Sequence, residues 1–293
     1  MRTRSLPRIS IVTPSFNQAQ YLEQTILSVL NQNYPNLEYV IIDGGSTDGS
    51  VEIIRKYEKD INYWVSEKDN GQAEAIHRGF SMTTGEILGW LNSDDYYLPG
   101  ALFKVADAYR CNPKAELVIG GYAAVQADGK RICKYYAFKQ DFLSFLCAGQ
   151  YAGQMACFWK RSAYIAIGGI DLNLQYCLDY DLILRLSRRG EPIIIDNSLA
   201  CFRLHDAAKT TMILQAIEPR ETMEIRARYG YADLPAETRE SVTKATIREF
   251  EQSQRRGLMR DIYRDPVSLL KFLGVRVIDA ILPGIRKRFR RLP

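Results

Sequence analysis

From residue 9 to about residue 120, short apolar runs alternate with stretches whose apolar positions recur at helical spacing. Ile9-Ser10-Ile11-Val12 reads as a strand that stops at Thr13-Pro14-Ser15. Tyr21, Leu22, Ile26, Val29 and Leu30 then mark one face of a helix over residues 20–31. Residues 37–42 form a second strand, closed by Asp43-Gly44-Gly45-Ser46. Thr47 or Asp48 can cap the helix that carries Val51, Ile54 and Tyr57. Residues 61–66 read as a third strand, Asp69-Asn70-Gly71 as a turn, 72–80 as a short helix and 87–91 as a fourth strand. This alternation, with β-branched strands, predicts an α/β protein whose mostly parallel sheet is covered by flanking helices on both faces.

The alternation weakens after about residue 115. Residues 117–124 and 131–138 look like strands around an Ala127-Asp128-Gly129 turn. Residues 142–146, 162–167 and 179–188 read as helices, and 192–196 as a strand. Residues 215–262 are charged and helical in pattern, and 266–282 form an apolar helix that leads into a basic tail.

Composition narrows the class. With 293 residues, 46% hydrophobic and 25% charged, the chain has the balance of a globular protein with a substantial core. The net charge of +5 equals the charge of Arg286, Lys287, Arg288, Arg290 and Arg291, so the basicity belongs to the tail. Six widely spaced cysteines without a CxxC pair, and only two histidines, argue against structural zinc and fit a reducing, cytoplasmic setting. No run of eighteen apolar residues marks a membrane span. The tail, with Leu269, Leu270, Phe272, Leu273, Ile278, Ile281 and Leu282 before it, suits peripheral contact of 266–293 with the cytoplasmic face of an anionic membrane. Nucleic-acid binding is not expected, because no aromatic-interleaved basic patch occurs elsewhere.

Chemistry gathers where the strands end. In an open parallel sheet, ligands bind at the carboxyl ends of the strands. Thr13-Pro14-Ser15, Asp43-Gly44, Glu67-Lys68-Asp69-Asn70 and Asn92-Ser93-Asp94-Asp95 would share that rim. Each taken singly is an ordinary turn; together they form a pocket. Asp43 either caps its turn or accepts hydrogen bonds from a base or ribose. The absence of GxGxxG and GxxxxGK[ST] disfavours a dinucleotide fold and a P-loop. Asp94 and Asp95 offer hard oxygen ligands for magnesium or manganese, or else a solvated turn. Asp179 and Asp181 open a helix, where the dipole favours carboxylates in any case. Asp179 is assigned as general base, and Asp181 to capping or to pairing with Arg185 at i+4. His205, with Arg203 and Lys209 nearby, suits a diphosphate.

Taken in order, these segments resemble glycosyltransferase family 2, with the A-type glycosyltransferase fold. The resemblance rests on Thr13-Pro14-Ser15-Phe16-Asn17, the stretch from Glu38 to Ser50, Asp69-Asn70-Gly71-Gln72, Trp90-Leu91-Asn92-Ser93-Asp94-Asp95 with Pro99-Gly100, Gly168-Gly169-Ile170-Asp171, Asp179-Tyr180-Asp181-Leu182 and Phe202-Arg203-Leu204-His205. It implies an inverting, metal-dependent hexosyltransferase that uses a nucleoside-diphosphate sugar donor and a glycan or lipid-linked glycan acceptor in cell-surface polysaccharide or glycolipid synthesis. Residues 1–210 would be the catalytic domain, with 1–115 as its nucleotide-binding half and 116–210 as its acceptor half. Residues 211–293 would be a helical extension. By the same resemblance, Pro14 and Asp43 would contact the nucleoside with Ser15 and Asn17 nearby, Gln72 would lie over the ribose or diphosphate, and Asn92, Ser93 and Asp94 would be among the donor-binding residues. Asp94 and His205 would bind Mg2+ or Mn2+, and Asp179 would be the base. Asn92 departs from the family, in which many members have an aspartate. The rival readings are a nucleotidyltransferase and a non-catalytic sugar-nucleotide-binding protein.

Overall fold

A computed structural model describes residues 6–206 and 218–264. The chain forms two compact units, one ending at Thr246 and the next beginning at Ile247. The first contains nine strands: β1 (Ile9–Ser15), β2 (Leu37–Asp43), β3 (Tyr63–Ser66), β4 (Ile87–Trp90), β5 (Tyr96–Tyr97), β6 (Leu117–Gln126), β7 (Arg131–Tyr135), β8 (Cys157–Lys160) and β9 (Ile193–Leu204). The helices are α1 (Ala19–Leu30), α2 (Ser50–Lys56), α3 (Gln72–Ser81), α4 (Ala101–Cys111), α5 (Phe142–Ala148), α6 (Arg161–Ala166), α7 (Leu178–Ser187), α8 (Glu218–Arg228) and α9 (Ala236–Arg264).

The sheet order is β3-β2-β1-β4-β8-β6-β9-β5, and β7 pairs with β6. The strands β3, β2, β1 and β4 are mutually parallel, as the alternation predicts. The antiparallel strand β8 lies between β4 and β6, and β6 pairs in parallel with β9. The short strands β5 and β8 escape a pattern-based reading because they fall outside the regular strand–helix alternation and are too short to show a period of their own. The predicted strand at 192–196 extends through a register shift to Leu204, which places His205 at its end.

Strand alternation builds two cores. Val12, Val40, Ile42, Leu88, Trp90 and Trp159 face α3, α5, α6 and α7 on one side. Ile9, Ile11, Tyr39, Ile41, Ile87 and Phe158 face α1, α2 and α4 on the other. Gly79 lets α3 lie close to the sheet, since a Cβ there would fall 2.4 Å from Val12 Cγ1. All six cysteines are free. Among the described residues, no helix is long and apolar enough to cross a membrane. The predicted 266–282 helix and the basic tail lie outside the described residues.

Candidate active site

Parallel registration sets Ser15 beside Asp43 and Asp43 beside Ser66, so three strands end on one rim. Above that rim is an open cavity of ≈ 680 Å³, the size of a small-molecule site. Pro14, Ser15, Phe16, Lys68, Asp69, Gln72, Asn92, Ser93, Asp94 and Phe202 are among its walls. The Ser15 hydroxyl is buried there without a partner, an arrangement that costs free energy until a ligand supplies one. A Cβ at Gly44 would lie 3.1 Å from Asp69 Oδ2, so this glycine lets two strand-end loops approach closely. Burial, with the charges of Glu74 and Asp43, pushes the Asp69 carboxyl up, against the N–H bond from Gly71.

Two residues expected at the nucleoside are not among these walls. Asp43 is fully buried and does not line the cavity. Its Oδ2 accepts from Gly45 N, Ser46 N and Ser66 Oγ, and its Oδ1 from Ser46 Oγ. It therefore builds the turn, because a strand-end carboxylate followed by glycines can collect local N–H donors more readily than reach a ligand. Asn17 likewise joins two loops, accepting from Thr47 N through Oδ1 and donating its own N–H to Ser46 Oγ.

The loop after β4 is held from beneath by Arg203. That side chain is 2% exposed. It donates to Asp94 O, Ala127 O and Gln24 Oε1, and its own backbone N–H donates to Asp95 Oδ1 at 2.9 Å. With three of its guanidinium N–H groups bonded to protein acceptors, Arg203 supports the loop; Lys209 lies outside the described residues. Asp95 is fully buried, and both burial and the Asp94 charge push its carboxyl well up. Asp94 instead lines the cavity, and its Oδ2 lies 3.0 Å from His205 Nε2. The Asn92 amide oxygen accepts from Gln72 Nε2 at 2.9 Å and Trp90 Nε1 at 2.7 Å. An amide serves this bridging role without a second negative charge beside Asp94.

A second cavity, of ≈ 550 Å³, adjoins the first and shares Gln72, Asn92 and Phe202 as walls. Asp179, in the first turn of α7, lines it. Asp179 Oδ1 accepts from Tyr180 N, and Oδ2 from Gln150 Nε2 at 3.0 Å. Asp181, two residues on, turns away and is buried against Arg185, with Nε to Oδ2 at 2.8 Å. The approach to α7 is fixed from α8. Glu221 Oε1 accepts from Gln175 N, and Oε2 from Tyr176 N and Cys177 N, each at 2.9 Å. Thr222 and Arg226, four residues apart on the same face of α8, reach the second cavity. Sequence patterning missed these two, together with Tyr122, Gln150 and Gln154, because none sits in a spaced motif.

Among the described residues, no three or more His, Cys, Asp or Glu side chains gather as a ready metal cage. The Asp94 carboxylate, on a cavity wall, is nonetheless met from behind that wall by the His205 imidazole. Such a sparse donor set fits a hard divalent ion whose remaining ligands come from phosphate oxygens. The architecture and the paired cavities define the class: an A-type glycosyltransferase fold with a strand-end pocket and a carboxylate facing an adjoining cleft.

The profile of glycosyl transferase family 2 matches residues 10–164, just over half of the 293, so the chain belongs to that family. An uncharacterised glycosyltransferase of Mycobacterium tuberculosis is 32% identical over 195 residues, spanning 65% of this chain and 73% of the relative. A putative teichuronic acid biosynthesis glycosyltransferase of Bacillus subtilis, TuaG, is 32% identical over 132 residues, spanning 44% and 52%. S. aureus TarS in complex with UDP-GlcNAc shares the fold at TM-score 0.63 and 13% identity, covering 96% of this chain and 82% of TarS. A mannosyltransferase of Pyrobaculum calidifontis in complex with GDP-Man and Mn2+ does so at TM-score 0.58 and 15% identity, covering 97% and 81%. The protein is thus a glycosyltransferase.

Proposed function

We propose that this glycosyltransferase moves a sugar from a nucleoside diphosphate to an acceptor hydroxyl with inversion, the donor occupying the Ser15–Asp94 cavity and the acceptor the Asp179 cavity. The observation that carries this reading is the shared wall of Gln72, Asn92 and Phe202, across which the two cavities meet. The acceptor oxygen forms its bond to the anomeric carbon as the bond from that carbon to the diphosphate oxygen breaks on the opposite face. The electron pair leaves with the nucleoside diphosphate, and the hydroxyl proton goes to Asp179. Gln150 keeps that carboxylate oriented through its 3.0 Å bond. Asp94 and His205 would hold a divalent cation, Mg2+ or Mn2+, which when bound offsets the charge of the leaving diphosphate. Ser15 and Ser93 would meet the nucleotide, and Gln72 the ribose or diphosphate.

The acceptor would be a glycan or lipid-linked glycan of a cell-surface polysaccharide or glycolipid. The likeness to a relative named for teichuronic acid biosynthesis supports this. Such an acceptor suits an enzyme held peripherally on the cytoplasmic membrane face by its basic tail.

Asp179→Asn should lower transfer by about 100-fold or more while leaving the thermal shift by nucleotide sugars with manganese intact. Wild-type turnover in this variant would refute the assignment. A screen of UDP- and GDP-sugars by the same shift identifies the donor.

A further inference from the structure

We propose that the acceptor carries an anionic group, a carboxylate or a phosphate, and that Arg226 recognises it. The inference rests on the glycosyl-transfer reading above and adds the chemical class of the acceptor. Asp179 and Arg226 are the two charged side chains among the described residues lining the second cavity. Asp179 is committed to the reacting hydroxyl, so Arg226 is left to set charge selectivity.

Arg226 is poised for a ligand. Three other arginines are satisfied by protein oxygens: Arg185 by Asp181, Arg228 by Asp171, and Arg203 by three acceptors. Arg226 pairs with no carboxylate among the described residues. It meets the Tyr180 side chain, makes a long 3.4 Å contact to Cys147 O and lies over the Tyr231 ring at 5.2 Å, and its Nε is buried without a partner. A guanidinium has five N–H donors in a planar fork, matched best by a carboxylate or phosphate.

Two further atoms say what surrounds the anion. Gln150 Oε1 and Gln154 Oε1 are also buried without partners on this cavity. Their nitrogens are tied, Gln150 Nε2 to Ala152 O and Asp179 Oδ2, and Gln154 Nε2 to Trp90 O. The two carbonyl oxygens are therefore fixed as acceptors for hydroxyl donors. Hydroxyl-accepting amides beside a guanidinium that has no carboxylate partner among the described residues fit a uronic acid or a sugar phosphate better than a neutral sugar. Arg226 does not line the donor cavity, which separates this role from holding the donor diphosphate.

The test uses the full chain with manganese and UDP, titrated by saturation-transfer NMR with glucuronic acid, glucose 6-phosphate and glucose. One of the two acids should bind at least about tenfold tighter than glucose, and the preferred acid tells carboxylate from phosphate. Arg226→Gln should abolish the preference, and Arg226→Lys, which keeps charge but loses the fork, should retain part of it. The preference should also fall with added salt in the unmodified protein, a readout independent of how the variants fold. Equal binding of all three sugars, no saturable binding of either acid, or an undiminished preference in a folded Arg226→Gln protein would overturn the proposal. Thermal shift with UDP- and GDP-sugars on the same samples separates the two levels. A nucleotide-sugar shift without anion preference sinks this inference alone; no shift in the unmodified protein sinks the parent reading with it.

Discussion

Glu221 should be worth more to this protein than a helix-surface carboxylate normally is, because it organises the entrance to α7 from a different helix. It is 5% exposed and accepts three backbone N–H groups at 2.9 Å, of which the Cys177 amide is buried and the other two are partly so. Cys177 supplies no side-chain cap of its own to α7. Truncation in Glu221→Ala leaves one buried amide without a partner, at about 1–3 kcal/mol. It also removes two charge-assisted bonds whose donors water can partly satisfy, at about 1 kcal/mol each. The carboxylate's interaction with the helix dipole adds about 0.5 kcal/mol. The expected loss is about 3.5–5.5 kcal/mol, and Glu221→Gln, which keeps one acceptor oxygen, should lose roughly half as much.

The backbone bonds hold the Glu221 carboxyl below its ordinary value, against the opposing effect of burial. A depressed folded-state pKa adds stability that is fully present above the unfolded value, about 4.3. That stability is lost as pH falls through the folded value. The gap between the native protein and Glu221→Gln should thus be wide at neutral pH and close in acid. Urea denaturation of the full chain at several pH values measures it. Transfer should also fall, since the same amides lead directly to Asp179. A Glu221→Ala protein within about 0.5 kcal/mol of the native one, or a gap that does not narrow in acid, would refute the reasoning.

Asp95→Asn should behave oppositely. The Asp95 carboxyl is pushed up by burial and by Asp94, so the native protein loses stability as pH rises from the unfolded value toward the folded one. The amide keeps an acceptor for Arg203 N without the buried charge, so thermal melting of Asp95→Asn should gain on the native protein as pH rises from 4 to 8; a constant difference would count against this account. Removal of residues 266–293 should release the protein from anionic liposomes in sedimentation, each clustered cation contributing about 1 kcal/mol to attachment; unchanged sedimentation would reject the membrane role.

Much of the fold is legible in the sequence because the first four strands recur in regular alternation with helical stretches and end at turn residues. Ile9, Ile11 and Val12 alternate between two cores just as their pattern implies. The antiparallel insertion of β8 is not legible, since Cys157-Phe158-Trp159 is a three-residue apolar run that helix and strand share equally well. At the site, strand-end polar clusters locate the rim but not the division of labour within it. Asp43 and Asp94 both follow a strand as acidic residues in polar loops. The glycines and serines around Asp43 give it four local donors, whereas Asp94 is left facing the cavity beside His205. Donor geometry of this kind depends on where three strands stop relative to one another, which no single segment encodes.

The acceptor side shows the same limit more sharply. Gln150 and Gln154 come from the segment between α5 and β8, Asp179 from α7, and Thr222 and Arg226 from α8. Their convergence depends on Glu221 binding the amides before α7, a contact across 44 or more residues of chain. The same carboxylate therefore aligns the proposed base and sets the height of Arg226, one turn further along α8. A substitution at Glu221 should then disturb acceptor use more than donor binding, because the donor cavity is built wholly from residues before Asp95 and from Phe202.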